Sequence, residues 1–260
     1  MGRDLITRRT LPFFFLMLFA AGLPSSAEIF NVTYISTSTK EIRAYNKDDG
    51  RSLWQSSTRA EKLEVDGAPG LRITENSKGI WNGRDLRQWR AENLYSINGN
   101  EIIPVRSSIF FYDTNGLTVE AQTKTYSRRD GKVYCLKNGD KKTFDCDPDI
   151  IDKELLGICL MNYPFSRSKD LEFHMMTNEP AHYKMTMVNL GKDTLVYGDK
   201  KISCYKLQMI PDLGFLGIFA PFVPKTYFWY KTEPPHEFVR YEGLESGLNT
   251  PYIVMESVNK

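Results

Sequence analysis

Apolar and polar residues alternate along most of the chain in short runs, separated by turn residues roughly every 8 to 12 positions. A period of two is typical of strands that bury one face and expose the other. Turn pairs such as Asn115-Gly116 and Asp130-Gly131 favour tight hairpins between successive runs. The pattern therefore predicts a meandering antiparallel sheet. Its predicted strands are residues 31–36, 40–46, 52–64, 70–76, 89–97, 102–111, 118–126, 132–137, 171–177, 183–190, 194–196, 202–210, 225–231, 237–242 and 251–258.

One segment, residues 149–163, has the periodicity of a helix. Asp147 is placed to cap this helix, and Pro148 suits its first turn. Apolar residues such as Leu155 and Cys159 recur at the spacing of one helical face, so the helix needs burial on most sides. We expect it to pack on the sheet as a core element. The alternative is that it lines the floor of a cavity.

The segment 211–224, PDLGFLGIFAPFVP, carries no charge after Asp212. Glycines and prolines interrupt it too often for a long helix, and it is shorter than the roughly 20 residues that span a bilayer. A contiguous apolar loop usually marks a partner, a membrane or a ligand mouth. We predict a contact surface, with folding back over the end of the sheet as the alternative. The predicted ligand or partner contacts in and around it are Leu213, Phe215, Leu216, Ile218, Phe219, Phe222, Trp229, Leu155 and Cys159.

The predicted strand 225–231 that follows this loop is aromatic on both faces. Side chains alternate along a strand, so Tyr227 and Trp229 should face one way and Phe228 and Tyr230 the other. Such a strand needs cover on both sides, and the helix or the apolar loop would supply it.

The N-terminus has the pattern of a secretory signal. A basic start with Arg3, Arg8 and Arg9 precedes the apolar run 11–23 and a small-residue cleavage site at 25–27. We predict a signal peptide over residues 1–27, followed by a single β-rich domain over residues 28–260, and we expect a periplasmic protein. An uncleaved anchor is the alternative, although the apolar run is short for a membrane span.

Charge limits the classes of partner. The full chain has a formal charge of +2, and removal of residues 1–27 takes away three arginines and one aspartate, which leaves none. A balanced chain lacks the basic stripe of nucleic-acid-binding proteins, so nucleic acid is not an expected partner.

The four cysteines form an even set, which in an exported chain suggests disulfides. Three pairings are open. Cys135 with Cys146 would close a hairpin, which leaves Cys159 with Cys204 to tie the helix to a strand. Metal binding is the rival interpretation, but the cysteines lack a CxxC pair and the histidines are scattered, so no metal site is predicted.

Candidate catalytic chemistry is sparse. The three histidines, His174, His182 and His236, read as strand or loop residues, and no nucleophile elbow, zinc-protease helix or phosphate loop is present in the sequence. We therefore predict a protein that is not an enzyme and needs no cofactor.

Several segments, taken in order, resemble one known family. They are Ile103-Pro104 before a long strand, the Asn115-Gly116 turn, YSRRDGKV at 126–133, the helix ending in Tyr163-Pro164-Phe165, TLVYGDKKISCYKL at 194–207 and YFWYKTEPPHEFVRYE at 227–242. Together they resemble an uncharacterised family of bacterial periplasmic proteins that look like the lipoprotein carriers of the Lol system. The resemblance implies a mainly β fold, a highly curved, incompletely closed antiparallel sheet with one principal helix packed in its concave side. It implies no catalytic residues.

These observations give two hypotheses of function. The first is a non-enzymatic exported envelope protein that binds an apolar small molecule or a lipid chain in the concavity of the sheet. The alternative is an interaction module in envelope assembly or stress signalling, which docks a protein or a membrane surface through the loop 211–224.

Overall fold

The structure is a computed structural model that describes residues 32–166, 170–178, 180–212, 224–247 and 249–258. The predicted signal peptide and most of the apolar loop lie outside these residues. No helix among those it does describe is long and apolar enough to cross a membrane. The strands are β1 Lys40–Asn46, β2 Ser52–Val65, β3 Ala68–Trp81, β4 Asp85–Asn98, β5 Glu101–Tyr112, β6 Thr118–Ser127, β7 Lys132–Lys137, β8 Asp140–Asp145, β9 Ile150–Asp152, β10 Leu171–Met176, β11 His182–Tyr197, β12 Lys200–Pro211, β13 Thr226–Lys231, β14 Phe238–Leu244 and β15 Tyr252–Ser257.

All fifteen strands belong to one sheet, in the order β8-β7-β6-β5-β4-β3-β2-β1-β15-β14-β13-β12-β11-β10-β9. Neighbours are antiparallel except β9 and β10, which are parallel. The first and last strands, β1 and β15, pair through a five-residue register from Ile42↔Ser257 to Asn46↔Ile253. The free edges are β8 and β9, so backbone hydrogen bonds do not close the sheet. The predicted mainly β class and the incompletely closed sheet are confirmed.

Two strand predictions need correction. The described residues of the predicted strand 31–36 are not in a strand, and Val32 instead donates a backbone hydrogen bond to Asn100. Residues 140–145, for which no strand is predicted, form the edge strand β8. Five of its six residues are exposed, so it lacks the alternation on which strand prediction depends.

The predicted helix 149–163 is also shorter than expected. It begins with strand β9 and a 3₁₀ turn, Lys153–Leu155, and only α1, Leu156–Met161, is α-helical. Asp152, rather than Asp147, caps the turn by accepting a hydrogen bond from the backbone N–H of Glu154. The signals that predict a helix are local to this segment. Strand β9, by contrast, forms because it pairs with β10, which follows later in the chain.

We call the face of the sheet that packs on α1 its inward face. A large cluster there includes the fully buried side chains of Leu71, Phe173, Leu207 and Tyr230 around Leu160 of α1. The helical segment thus occupies the concave side of the sheet, as predicted. A second inward cluster, built on Trp54, Trp89 and Phe111, fills the other end.

The two ends of the sheet overlap rather than meet edge to edge. Successive side chains of β9 point to opposite faces, and Ile151 joins the cluster around α1. Ile150 points the other way and packs against Tyr126 of β6 and Val133 of β7. We call this contact of β9 and β10 with the inward face of β6 and β7 the seam. Because β9 is covered on both faces, by α1 on one and by β6 and β7 on the other, all three of its residues are buried.

The structure shows neither of the predicted disulfides, and all four cysteines are free thiols. The backbone N–H of Cys146 bonds to the carbonyl of Gly131, which places Cys146 four residues of strand, ~13 Å, from Cys135. A disulfide needs Cα atoms within roughly 7 Å. Cys159 and Cys204 lie on opposite faces of the sheet, in the cluster around α1 and in an outward cluster with Trp229.

Candidate functional site

The residues predicted to contact a ligand do not come together among the described residues. Leu155 and Cys159 are fully buried on the inward side, where burial raises the pKa of the Cys159 thiol to about 12. Trp229 lies on the outward face with Ile202 and Val239, and its indole N–H donates to Asp193 at 2.8 Å. The remaining six predicted contacts, Leu213, Phe215, Leu216, Ile218, Phe219 and Phe222, lie outside the described residues.

The inward space between the two apolar clusters is polar. Glu75 accepts hydrogen bonds from Ser77 at 2.6 Å and from the indole of Trp89 at 3.1 Å. Glu154 accepts from Asn178 at 2.8 Å, and burial together with Glu75 raises the pKa of Glu154. The other buried polar side chains of this band include Ser56, Asn93, Ser107, Gln122 and Lys124.

A buried ion pair joins this band to the seam. Lys124 of β6 lies 2.6 Å from Asp152 of β9, with side chains that are 1% and 0% exposed. The hydroxyl of Tyr126 donates to the same carboxylate. Burial, and then the negative charge of Asp152, raise the pKa of Tyr126, so its hydroxyl remains protonated and able to donate. The seam is therefore held by side chains.

A groove of about 800 Å³ crosses the outward face of β1 to β4. The sheet register places Arg43, Gln55, Lys78 and Gln88 directly opposite one another on successive strands, so they form one row along the groove. This row is exposed, whereas the alternate residues Ala44, Trp54 and Ser77 are buried on the inward side.

The groove is lined by cations, by apolar side chains and by one carboxylate, Asp113, which accepts hydrogen bonds from the backbone N–H groups of Asn115 and Leu117. Arg43 and Lys78 have no acidic partner within the described part of the chain, since Glu256, which lies opposite Arg43, is bonded by Arg240 at 3.2 Å. The groove lining also includes Tyr45, Leu86 and the largely buried Leu53. Leu86 is 59% exposed.

The floor of the groove depends on one glycine. Gly79 has φ +144°, and a Cβ added there would lie 2.3 Å from the carbonyl oxygen of Leu53 and 2.4 Å from Cα of Trp54. Two backbones approach this closely only where a side chain is absent. Gly79 thereby allows the bulge of β2 at Leu53 that shapes the groove.

The structure also brings together residues that the sequence left apart. Side chains of Asp147, His174 and His182 offer ligand atoms that all lie within 4.8 Å of one another. Asp147 belongs to the linker between β8 and β9, and the two histidines belong to β10 and β11. This cluster is not predictable from the sequence, because no spacing along the chain signals it. Only the pairing of β9, β10 and β11 does so.

Comparison with solved structures places this fold beside known ones. A β-barrel-like protein of the domain of unknown function DUF1849 from Brucella abortus has TM-score 0.51 at 7% identity, over 85% of this chain and 94% of that chain. A protein of YmcC-like fold from Bacteroides fragilis has TM-score 0.30 at 11% identity, over 88% and 97%. The hypothetical lipoprotein YmcC from Escherichia coli has TM-score 0.28 at 7% identity, over 90% and 93%.

No family model matches the chain, and no curated protein does. The likeness to the Brucella abortus protein shows the fold, a barrel-like curved sheet seen in a domain of unknown function. The resemblance drawn from the sequence is confirmed at that level.

Proposed function

We propose that this is a non-enzymatic exported protein of the bacterial envelope that binds an amphiphile with an anionic head and an apolar chain. The signal-like N-terminus supports export. Burial raises the pKa of Cys159 to about 12 and of Cys204 to about 11, so neither thiol is a ready nucleophile. A thiol in its protonated form is a poor nucleophile.

The groove over β1 to β4 is the binding site in this proposal. The sequence pointed to the concavity, but α1 fills one part of it and the neighbouring inward band is polar, with Glu75 and Lys124. An apolar chain gains nothing from polar surroundings. The observation that carries the proposal is the row of Arg43 and Lys78 beside the exposed Leu86 in a groove of ligand size.

The test compares two single-chain amphiphiles of equal chain length, an alkyl phosphate and an uncharged alkyl maltoside. Calorimetric titration below the micelle concentration measures the affinity for each amphiphile. We expect the phosphate to bind at least tenfold more tightly, about 1.4 kcal/mol. The double variant Arg43→Gln/Lys78→Gln should abolish this preference.

The matched control is Lys141→Gln/Lys142→Gln, which removes the same charge from the exposed strand β8. Equal binding of the two amphiphiles, or equal losses in the groove and control variants, would contradict the groove. The docking hypothesis for the loop 211–224 stays a prediction. The triple variant Phe215→Ser/Phe219→Ser/Phe222→Ser should then abolish capture of a partner protein and leave amphiphile binding unchanged.

A further inference from the structure

Two histidines meet on the outward face of the sheet, close to the seam. His182 of β11 lies opposite Met176 of β10, two residues along from His174, so the two rings lie on one face of neighbouring strands. Their centroids are 5.0 Å apart. The linker from β8 to β9 passes beside them and contributes Asp147 and Asp149.

The carboxylates contact the imidazoles directly. Nε2 of His182 is 3.0 Å from Oδ2 of Asp147, and the same oxygen is 3.9 Å from Nδ1 of His174. Asp149 bonds Nδ1 of His174 at 2.8 Å. Two imidazoles and two carboxylates thus converge from three separate segments.

We propose that Asp147, His174 and His182 form a binding site for a divalent cation of the zinc class, with Asp149 as a positioning residue. Imidazole nitrogen and carboxylate oxygen are ordinary zinc ligands, with bonds of roughly 2.0 to 2.2 Å. Tetrahedral geometry then needs ligand atoms ~3.4 Å apart. The observed spread of 4.8 Å closes to this value by side-chain movements on the order of 1 Å.

A bound cation explains the arrangement of Asp147 and His182 better than ion pairs alone do. Nε2 of His182 is shielded from solvent, yet its approach to Asp147 lacks the alignment of a hydrogen bond. A cation between the two atoms would satisfy both. In the metal-bound site Nδ1–H of His174 would donate to Asp149, the outer contact that commonly orients a metal-binding histidine, and Nε2 of His174 would be the ligand.

The site is also accessible. The side chains of Asp147, His174 and His182 are 34%, 28% and 20% exposed, so a hydrated ion can reach them without opening the core. Three protein ligands leave one tetrahedral position for water. Asp147 comes from the linker that joins the edge strands β8 and β9, and the two histidines come from β10 and β11. A bound ion would therefore hold this linker against the sheet.

The experiment uses the full chain, purified without a histidine tag and treated with chelator. Calorimetric titration with Zn²⁺ should give one equivalent per chain, and Co²⁺ should give the intense visible absorption of a four-coordinate site. His174→Ala and His182→Ala should each weaken Zn²⁺ binding by at least tenfold, and Asp149→Asn by roughly 10-fold. Zn²⁺ should also raise the melting temperature of the wild type.

Two controls keep the test specific. His236→Ala removes the third histidine, which lies in a turn and bonds the carbonyl of Lys231. Asp145→Asn removes a nearby carboxylate that pairs with Lys132. Both should bind Zn²⁺ like the wild type.

Absence of saturable binding by the wild type would overturn the proposal, as would equal weakening in the ligand and control variants. Asp147→Asn, on a partly exposed linker residue, gives the same test should a histidine variant fail to fold. Its expected result is also a loss of at least tenfold. Unchanged affinity in a folded Asp147→Asn protein would count against the site.

Discussion

The sheet is joined in two different ways on its two sides. Where β1 meets β15, five residue pairs continue the backbone ladder from one chain end to the other. At the seam, β9 has no ladder to β6 or β7, and the contact consists of Ile150 among apolar side chains and Asp152 with Lys124. Backbone pairing tolerates many side chains, whereas the seam depends on a few particular ones.

A buried carboxylate lies at each of these two junctions, and the two carboxylates have different hydrogen-bond and charge partners. Asp152 at the seam has a cation and a phenol as partners, Lys124 and Tyr126. Glu245, in the loop after β14, accepts a hydrogen bond at 2.6 Å from the indole N–H of Trp54, and its other oxygen has no partner among the described residues. Asp152 should therefore stabilise the fold as an ion, and Glu245 should be tolerated best when it is protonated.

The largest expected effect comes from breaking the seam. Asp152→Asn leaves Lys124 buried without a counter-charge, which should lower the free energy of unfolding by about 3–5 kcal/mol. Urea denaturation followed by circular dichroism measures this. The double variant Lys124→Met/Asp152→Asn should recover much of the loss, because no charge is then left unpaired.

The matched control for the seam is Asp145→Asn, which breaks the exposed pair with Lys132 and should leave the unfolding curve unchanged. A loss at Asp145 as large as that at Asp152 would mean that the seam has no special role.

A smaller effect is expected from pH on the side with the backbone ladder. Burial raises the pKa of Glu245 from its ordinary value of 4.5 to about 6, against the opposing bond from Trp54. The folded chain therefore holds this proton more tightly than the unfolded chain. Its stabilising contribution is complete below about pH 4.5 and is lost as the pH rises through about 6, a total of about 2 kcal/mol.

Comparison with Glu245→Gln isolates this contribution, since a glutamine still accepts from Trp54 but does not titrate. The unfolding free energy of the wild type minus that of the variant should fall by about 2 kcal/mol between pH 4.5 and 7. A difference that stays flat across this range would show that Glu245 is more hydrated than its burial suggests.

The same contrast explains which features the sequence could predict. The alternation of apolar and polar residues predicts the strands of the backbone ladder. For example, β6, predicted as 118–126, is observed as Thr118–Ser127. The seam was not predictable, because its parts lie far apart in the chain and each looks ordinary alone. The run at Ile150 read as the start of a helix, since nothing local shows that β10 will pair with it.

The candidate sites follow this rule too. The row of Arg43 and Lys78 needs the register of three strands, and beyond Ala44 the bulge at Leu53 shifts the pairing of β1 with β2 by one residue. His174 and His182 seemed scattered because their meeting depends on the hairpin of β10 and β11. Chemistry that depends on long-range pairing leaves no spacing signal in a single sequence.

The smallest expected effect is that of a reducing agent, and it tests whether the seam holds without covalent help. Cys135 and Cys146 both pack in the apolar cluster at the seam, yet the hairpin register keeps them ~13 Å apart. A disulfide there would contribute roughly 2–4 kcal/mol and would make Asp152 less important. We expect the same melting temperature with and without reductant, and four free thiols by mass spectrometry after alkylation of the denatured chain. A lower melting temperature in reductant would show a covalent link, and the seam would then no longer depend on side-chain contacts alone.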